Sequence, residues 1–304
     1  MPFMTMPHFT TLGFSLLLAF CLVRTTLAQE RDFTPIDVPG ASATLANGIT
    51  PKGDIVGSYS DEGSPPTVHG FLLSQGKLAS IDVPDAISTF ATGINPKGDI
   101  VGHYLDFNKR FHGFLLSKGE FTSIDVPGST YTFANGINPR SDIVGQYQDA
   151  SPPFKTHGFL LRKGEFTTLD YLGATSTLAN GINAKGEIVG QYQDSGPASN
   201  THGFLLNKGL FSTIDVPEAP LTAARGINPR GEIVGNATDT NGNLPGFLQS
   251  KGNFTAIRVS GSALQGDVGT VATGINPRGD IVGYYEDSAG NVHGFLTSKK
   301  LIEP

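Results

Sequence analysis

Five of the seven histidines, His69, His112, His157, His202 and His293, each stand directly before a Gly-Phe pair. Asp82, Asp125, Asp170 and Asp215 follow the first four at a constant spacing of thirteen residues, which leaves Asp37 for His293. An imidazole beside a carboxylate is a working pair for general acid–base catalysis, and several imidazoles together can bind a metal ion. Both chemistries need their groups to converge on one centre. Five pairs spread evenly along the chain do not converge. The even spacing favours a hydrogen bond that knits neighbouring strands within each copy of a repeat. The exception agrees with pairing: Pro245 stands in place of a sixth histidine, and thirteen residues on Arg258 stands in place of the aspartate. No catalytic residue, cofactor or metal ligand is assigned on this pattern.

Other motifs add little chemistry. No Gly-x-Ser-x-Gly elbow, phosphate-binding loop or His-Glu-x-x-His pair occurs in the chain. Asp54, Asp99, Asp142, Glu187, Glu232 and Asp280 recur at one place in every copy, which suits a turn-stabilising role better than a paired-carboxylate site. Asp239-Thr-Asn241-Gly-Asn243 has the beginnings of a calcium loop, but Gly242 and Ser250 fall at the wrong positions for an EF-hand. Arg278-Gly279-Asp280 spells an adhesion tripeptide and is also the arginine version of a turn found throughout the chain.

The elements that carry these residues repeat. Gly-Ile-Asn or a variant begins at 48, 93, 136, 181, 226 and 274, so the chain holds six units of 43 to 48 residues. Each unit reads as four short strands, in the third unit 132–137, 142–147, 157–161 and 166–170. Asn-Pro-Lys-Gly and its near copies join the first two strands. Asn, Pro and Gly there occupy the preferred places of a type I turn with a left-handed glycine closing it. Lys-Gly joins the last two, and a turn on Lys118-Gly119 sets His112 directly opposite Asp125. Four strands per unit, six times over, predict an all-β fold, a six-bladed β-propeller of four-stranded antiparallel blades. The chain opens at Phe33 on a fourth-type strand and ends after a third-type strand at His293, so the N-terminal strand is expected to close the ring. The His-Gly-Phe, Gly-Ile-Asn, Asp-Ile-Val-Gly and Ile-Asp-Val repeats resemble the bacterial extracellular HAF-repeat family, named for His-Ala-Phe. The resemblance covers all six units and implies an exported bacterial protein; it carries no catalytic residues.

Residues 12–23 form an apolar run of signal-peptide length, and Thr26-Leu27-Ala28 follows with small residues suited to cleavage. Residues 1–28 are therefore expected to be removed, leaving 29–304 as one domain that is secreted to the periplasm or medium. The alternative is lipid attachment at Cys21, to which Phe20 is a poor neighbour. Cys21 is the sole cysteine, so disulfide and cysteine–zinc frameworks are excluded. A net charge of −6 argues against a nucleic-acid partner. The 39 glycines and 20 prolines argue against a helical fold.

With Gly-Ile-Asn strands innermost, the irregular loops 60–68, 105–111, 148–156, 193–201, 237–244 and 286–292 share one face, a recognition surface in many repeat arrays. Phe107, Phe111, Tyr131 and Phe154 could stack on a sugar there, and Arg225 could project a charge into the channel or form a buried ion pair. The expected molecule is a secreted, monomeric binding scaffold for a cell-surface glycan, an envelope component or a protein, without a membrane span. An extracellular carbohydrate hydrolase or lyase, and a purely structural surface protein, are the alternatives.

Overall fold

The computed structural model describes residues 31–299 except 64, 239–241 and 263–268. The leader 1–28 with Cys21, the tail 301–304 and part of the calcium-like loop lie outside the described residues. All named elements among the described residues are strands.

The strands pair as consecutive antiparallel meanders. In the first unit β2 (Ala43–Ile49), β3 (Ile55–Ser60), β4 (Val68–Ser74) and β5 (Lys77–Ile81) hydrogen-bond in order. The second repeats this with β6 (Ser88–Ile94), β7 (Ile100–Leu105), β8 (Phe111–Ser117) and β9 (Glu120–Ile124). β10 (Ser129–Ile137), β11 (Ile143–Asp149), β12 (Thr156–Arg162) and β13 (Glu165–Leu169) form the third. β14 (Ser176–Ile182), β15 (Ile188–Gln193), β16 (Thr201–Asn207) and β17 (Leu210–Ile214) form the fourth. β18 (Leu221–Ile227), β19 (Ile233–Thr238), β20 (Gly246–Ser250) and β21 (Asn253–Ile257) form the fifth. The sixth holds β22 (Thr270–Ile275), β23 (Ile281–Glu286) and β24 (Val292–Lys299), and β24 takes β1 (Arg31–Ile36) as its other neighbour.

Single parallel bridges at Ala43↔Val292, Thr156↔Ser176 and Thr201↔Leu221 join these meanders into sheets of 8, 12 and 4 strands. The meanders are thus not six separate sheets, and no sheet closes on itself among the described residues.

The turn chemistry explains the ends. Asn95 accepts a hydrogen bond from the Gly98 amide at 3.0 Å, and Gly98 has φ +88°, as a type I turn with a left-handed closing residue requires. The Asn95 side chain holds the same turn: Oδ1 accepts from the amides of Lys97 and Asp99, while Nδ2 donates to the Asp99 carboxylate. Five of the recurring acids are therefore turn partners of the recurring asparagines, and Asp54 pairs with Thr50 in the same place. In the other hairpin Lys118 and Gly119 both have positive φ, +52° and +85°, the two-residue turn whose twist suits a hairpin. Both turn types gather at one end of the strands, the turn end. The loops between second and third strands and the connections between units gather at the opposite end, the loop end.

The core lies between consecutive units. Val144 of the third unit packs with Ala179, Ile188 and Phe204 of the fourth, and Val282 of the sixth packs with Ile36, Ala46 and Phe71 at the chain's start. Hydrogen bonds follow the same order. Asn95 Nδ2 reaches Asn138 O, Asn138 reaches Asn183 O, Asn183 reaches Asn228 O, Asn228 reaches Asn276 O, and Asn276 reaches back to Thr50 O.

Candidate functional site

Each of the five His-Gly-Phe histidines begins a third strand at the loop end. Its Nδ1 meets the aspartate thirteen residues on: His69 and Asp82 at 2.8 Å, His112 and Asp125 at 2.9 Å, His157 and Asp170 at 2.9 Å, His202 and Asp215 at 3.0 Å. His293 meets Asp37 at 2.9 Å, brought there by the β1–β24 pairing. The hairpin register is the one the Lys-Gly turn implies, with Gly113 opposite Ile124 and the aspartate one place beyond the strand.

A second carboxylate stands on the other side of each ring. Nε2 of His112, His157, His202 and His293 lies 3.3, 3.0, 3.3 and 3.3 Å from Asp106, Asp149, Asp194 and Asp287, and Asp61 lies 3.8 Å from His69. A carboxylate at each nitrogen offers an acceptor to whichever ring N–H is present. A tyrosine from the second strand stacks on it, as Tyr147 does on His157 with centroids 5.1 Å apart and Tyr192 on His202 at 5.1 Å. The tyrosine hydroxyl in turn meets a fourth-strand hydroxyl, Tyr147 Oη lying 2.9 Å from Thr168 Oγ1. In the second, third and fourth units both ring nitrogens and the tyrosine hydroxyl all find partners inside the unit. In the fifth unit the whole set is absent: Ala237, Pro245 and Arg258 take the places of tyrosine, histidine and aspartate. Among the described residues no group of three His, Cys, Asp or Glu side chains is arranged to hold a metal ion.

The clusters make stability depend on pH. Burial works to lower the His202 and His293 rings, but hydrogen bonds to Asp215 and Asp194, and to Asp37 and Asp287, outweigh it and hold both above 6.5. A raised folded-state value means the stabilisation is complete below 6.5 and is lost as pH climbs through that raised value. The rings are about a quarter exposed, which screens the effect and keeps it small. Thermal melts are expected to show a modest fall in Tm as pH is raised from about 6 to about 8. The fall shrinks in a His202→Asn/His293→Asn double variant; an unchanged slope in that variant would refute the assignment.

The aromatic candidates separate into different places. Phe111 and Tyr131 belong to one cluster between the second and third units. There Phe90, His103, Phe133 and Tyr131 stack in a column with centroids 4.7, 4.3 and 4.8 Å apart, and Phe111 packs edge-on against Phe133 at 5.1 Å. His103 Nδ1 is shut from solvent without a hydrogen-bond partner, and burial pushes the ring down to about 3, so it is neutral. Tyr131 ends the column and its hydroxyl meets Thr156 Oγ1 at 3.1 Å. Phe107 and Phe154 lie outside the column on separate loops, 72% and 49% exposed. Arg278 pairs with Asp280 at 2.8 Å, so the adhesion-like tripeptide is a closed turn.

Arg225 is not on the loop surface. It lines a cavity of about 120 Å³ together with Asn47, Thr92, Asn135, Asn180 and Thr273, one equivalent residue from each unit. Its Nε donates to Asn236 Oδ1 at 2.7 Å, so the expected ion pair is replaced by a neutral acceptor. Two larger clefts, about 700 and 640 Å³, open at the turn end and share Arg162 and Lys185.

No protein-family model matches the chain, and no curated protein matches it in sequence. Solved structures share its fold. AofleA from Arthrobotrys oligospora aligns over 88% of this chain and 86% of its own, with a TM-score of 0.55 at 12% identity. A mutant of the Aleuria aurantia lectin AAL, in complex with Fucalpha1-6GlcNAc, aligns over 84% and 91%, with a TM-score of 0.51 at 10% identity. TolB from Acinetobacter baumannii aligns over 84% of this chain and 54% of its own, with a TM-score of 0.50 at 14% identity. No helix among the described residues is long and apolar enough to cross a membrane. The chain is an all-β protein of β-propeller-like fold.

Proposed function

We propose that the chain is an exported, monomeric six-bladed β-propeller, closed by its N-terminal strand, that binds a glycan through its loop end and turns nothing over. The observation that carries the binding is the aromatic column at the loop end. Among the described residues a stack of four rings occurs here alone, beside a three-ring stack of Tyr171, Tyr192 and His202, while the His–Asp clusters are repeated. Tyr131 ends the column with a ring face and a hydroxyl, the combination that stacks on a sugar and fixes its orientation. Likeness in fold to the Aleuria aurantia lectin, which was solved with a fucosylated disaccharide, supports a carbohydrate over a protein ligand.

The five Asp–His–Asp sets act as staples that tie each loop to its blade. Equivalent, self-satisfied sites favour scaffold over enzyme, since acid–base work needs an unpaired group facing substrate. The repeat motifs support membership of the HAF-repeat family, and the apolar leader supports export.

The test is a glycan array probed with the chain from Gln29, followed by turnover assays on each hit and a repeat with Tyr131→Ala. Binding without hydrolysis, lost in Tyr131→Ala, is expected. Cleavage of a hit would replace the scaffold reading with the hydrolase or lyase one. Silence across the array would leave a structural surface protein.

A further inference from the structure

The six residues that line the central cavity hold equivalent places in the first strands, each at a bulge such as that between Ala134 and Gly136. Five of them donate a hydrogen bond to the next unit's backbone. Asn135 Nδ2 donates to Ala179 O at 3.0 Å, Asn180 to Ala224 O at 2.9 Å, and Thr273 Oγ1 to Ala46 O at 2.7 Å. Arg225 does not. Among the described residues its one side-chain hydrogen bond runs to Asn236, which faces it from β19 of its own unit. Asn236 is 4% exposed, so this partner is fixed and holds the guanidinium by its Nε edge. The two terminal nitrogens remain as an end-on fork.

Three features select a ligand class. A cation in a narrow cavity favours an anion over water alone, and the fork fits a carboxylate with two parallel hydrogen bonds. Each asparagine that lines the cavity spends one of its two Nδ2 hydrogens on the next unit's backbone, which leaves its carbonyl oxygen to accept from a hydroxyl and its second N–H to donate to one. The space is small: about 120 Å³, equal to roughly four waters at ~30 Å³ each. A second space of about 90 Å³ is lined by the same six residues and the Gly-Ile that follows each, so the site takes a small acid or the end of a chain. The fifth unit is also the one that has dropped the shared tyrosine, histidine and aspartate, so its departures from the repeat are concentrated with Arg225.

We propose that the central cavity binds the carboxylate end of a hydroxy acid of the uronic type, with Arg225 as its anchor and Asn236 as the residue that positions the anchor. This site is separate from the loop-end aromatic column, so either can fail without the other.

The test is titration calorimetry of the folded chain with D-galacturonate, D-galactose, inorganic phosphate and a galacturonate trimer. Arg225→Asn is the diagnostic variant because asparagine already stands at positions 47, 135 and 180, so the fold accepts it. The expected result is one galacturonate per chain and none of galactose. Arg225→Asn is expected to weaken galacturonate binding about 10- to 100-fold, the usual worth of a charge-assisted hydrogen bond, with Tm not lowered. Equal affinity for monomer and trimer marks a free acid as the ligand, and tighter trimer binding marks a glycan end; both support the site. Unchanged binding in Arg225→Asn, phosphate binding as tight as galacturonate, or no galacturonate binding in the parent chain would each overturn it.

Discussion

Replacing Gly145 with alanine is expected to destabilise the fold by about 3 kcal/mol, a fall in Tm of roughly 6–12 °C for a domain of this size. Gly145 sits in β11 with an ordinary backbone, so the cause is space and not conformation. A Cβ there would lie 1.9 Å from the Phe133 carbonyl oxygen and 2.7 Å from the Phe159 ring, which is fully buried. Neither neighbour can retreat, because Phe133 O belongs to the paired strand and Phe159 fills the core between units. The same contact recurs at Gly57, Gly102, Gly190, Gly235 and Gly283, which is why the Asp-Ile-Val-Gly motif ends as it does. Gly164→Ala is the control. It has open space around it but φ +84°, so alanine there costs only about 1 kcal/mol. Equal effects in calorimetric melts of the two variants would contradict this reading.

Removing residues 29–39 is expected to cost still more. β1 is the fourth strand of the last meander: it pairs with β24 from Arg31↔Lys299 to Ile36↔Gly294. Phe33 meets Phe295 edge-on at 5.7 Å, as Phe166 meets Phe159 at 5.5 Å in the third unit. Ile36 and Val38 are buried in the cluster that joins the last unit to the first. Losing those two side chains alone forfeits about 3–6 kcal/mol, and His293 loses Asp37 besides. Ordinary stabilities are about 5–15 kcal/mol, so the shortened chain should melt far below the parent or not fold cooperatively. Denaturant unfolding of chains beginning at Gln29 and at Gly40 measures this. Matching midpoints would exclude a closing role for the N-terminal strand.

What could be read from the sequence was whatever has a fixed length. The turn motifs set hairpins of constant size, so strand phase and the thirteen-residue His–Asp pairing followed from counting. The second aspartate did not follow, because the loop before each histidine varies: Asp106 precedes His112 by six residues and Asp149 precedes His157 by eight. The aromatic column was half visible. Phe111 and Tyr131 stood out by type, but Phe90, His103 and Phe133 meet only when two units pack, and a bulge in each first strand shifts the register by one place. The same bulge hid Asn236 as the partner of Arg225, which sequence could suggest only as a charge in the channel. Phe107 and Phe154 looked equivalent to Phe111 as candidates and are instead isolated at loop tips.

The division of labour is that repeated features hold the fold and single features bind. Its most direct test is one titration series with the best array ligand, using His157→Ala and Tyr131→Ala beside the parent chain, each with its Tm recorded. His157→Ala should lower Tm by a few degrees, since it leaves Asp149 and Asp170 without their shared donor, and should leave the dissociation constant unchanged. Tyr131→Ala should weaken binding at least tenfold, the lower end of what an aromatic anchor contributes. A His157→Ala chain that keeps its Tm but loses the ligand would contradict the division and place the repeated clusters in the binding site.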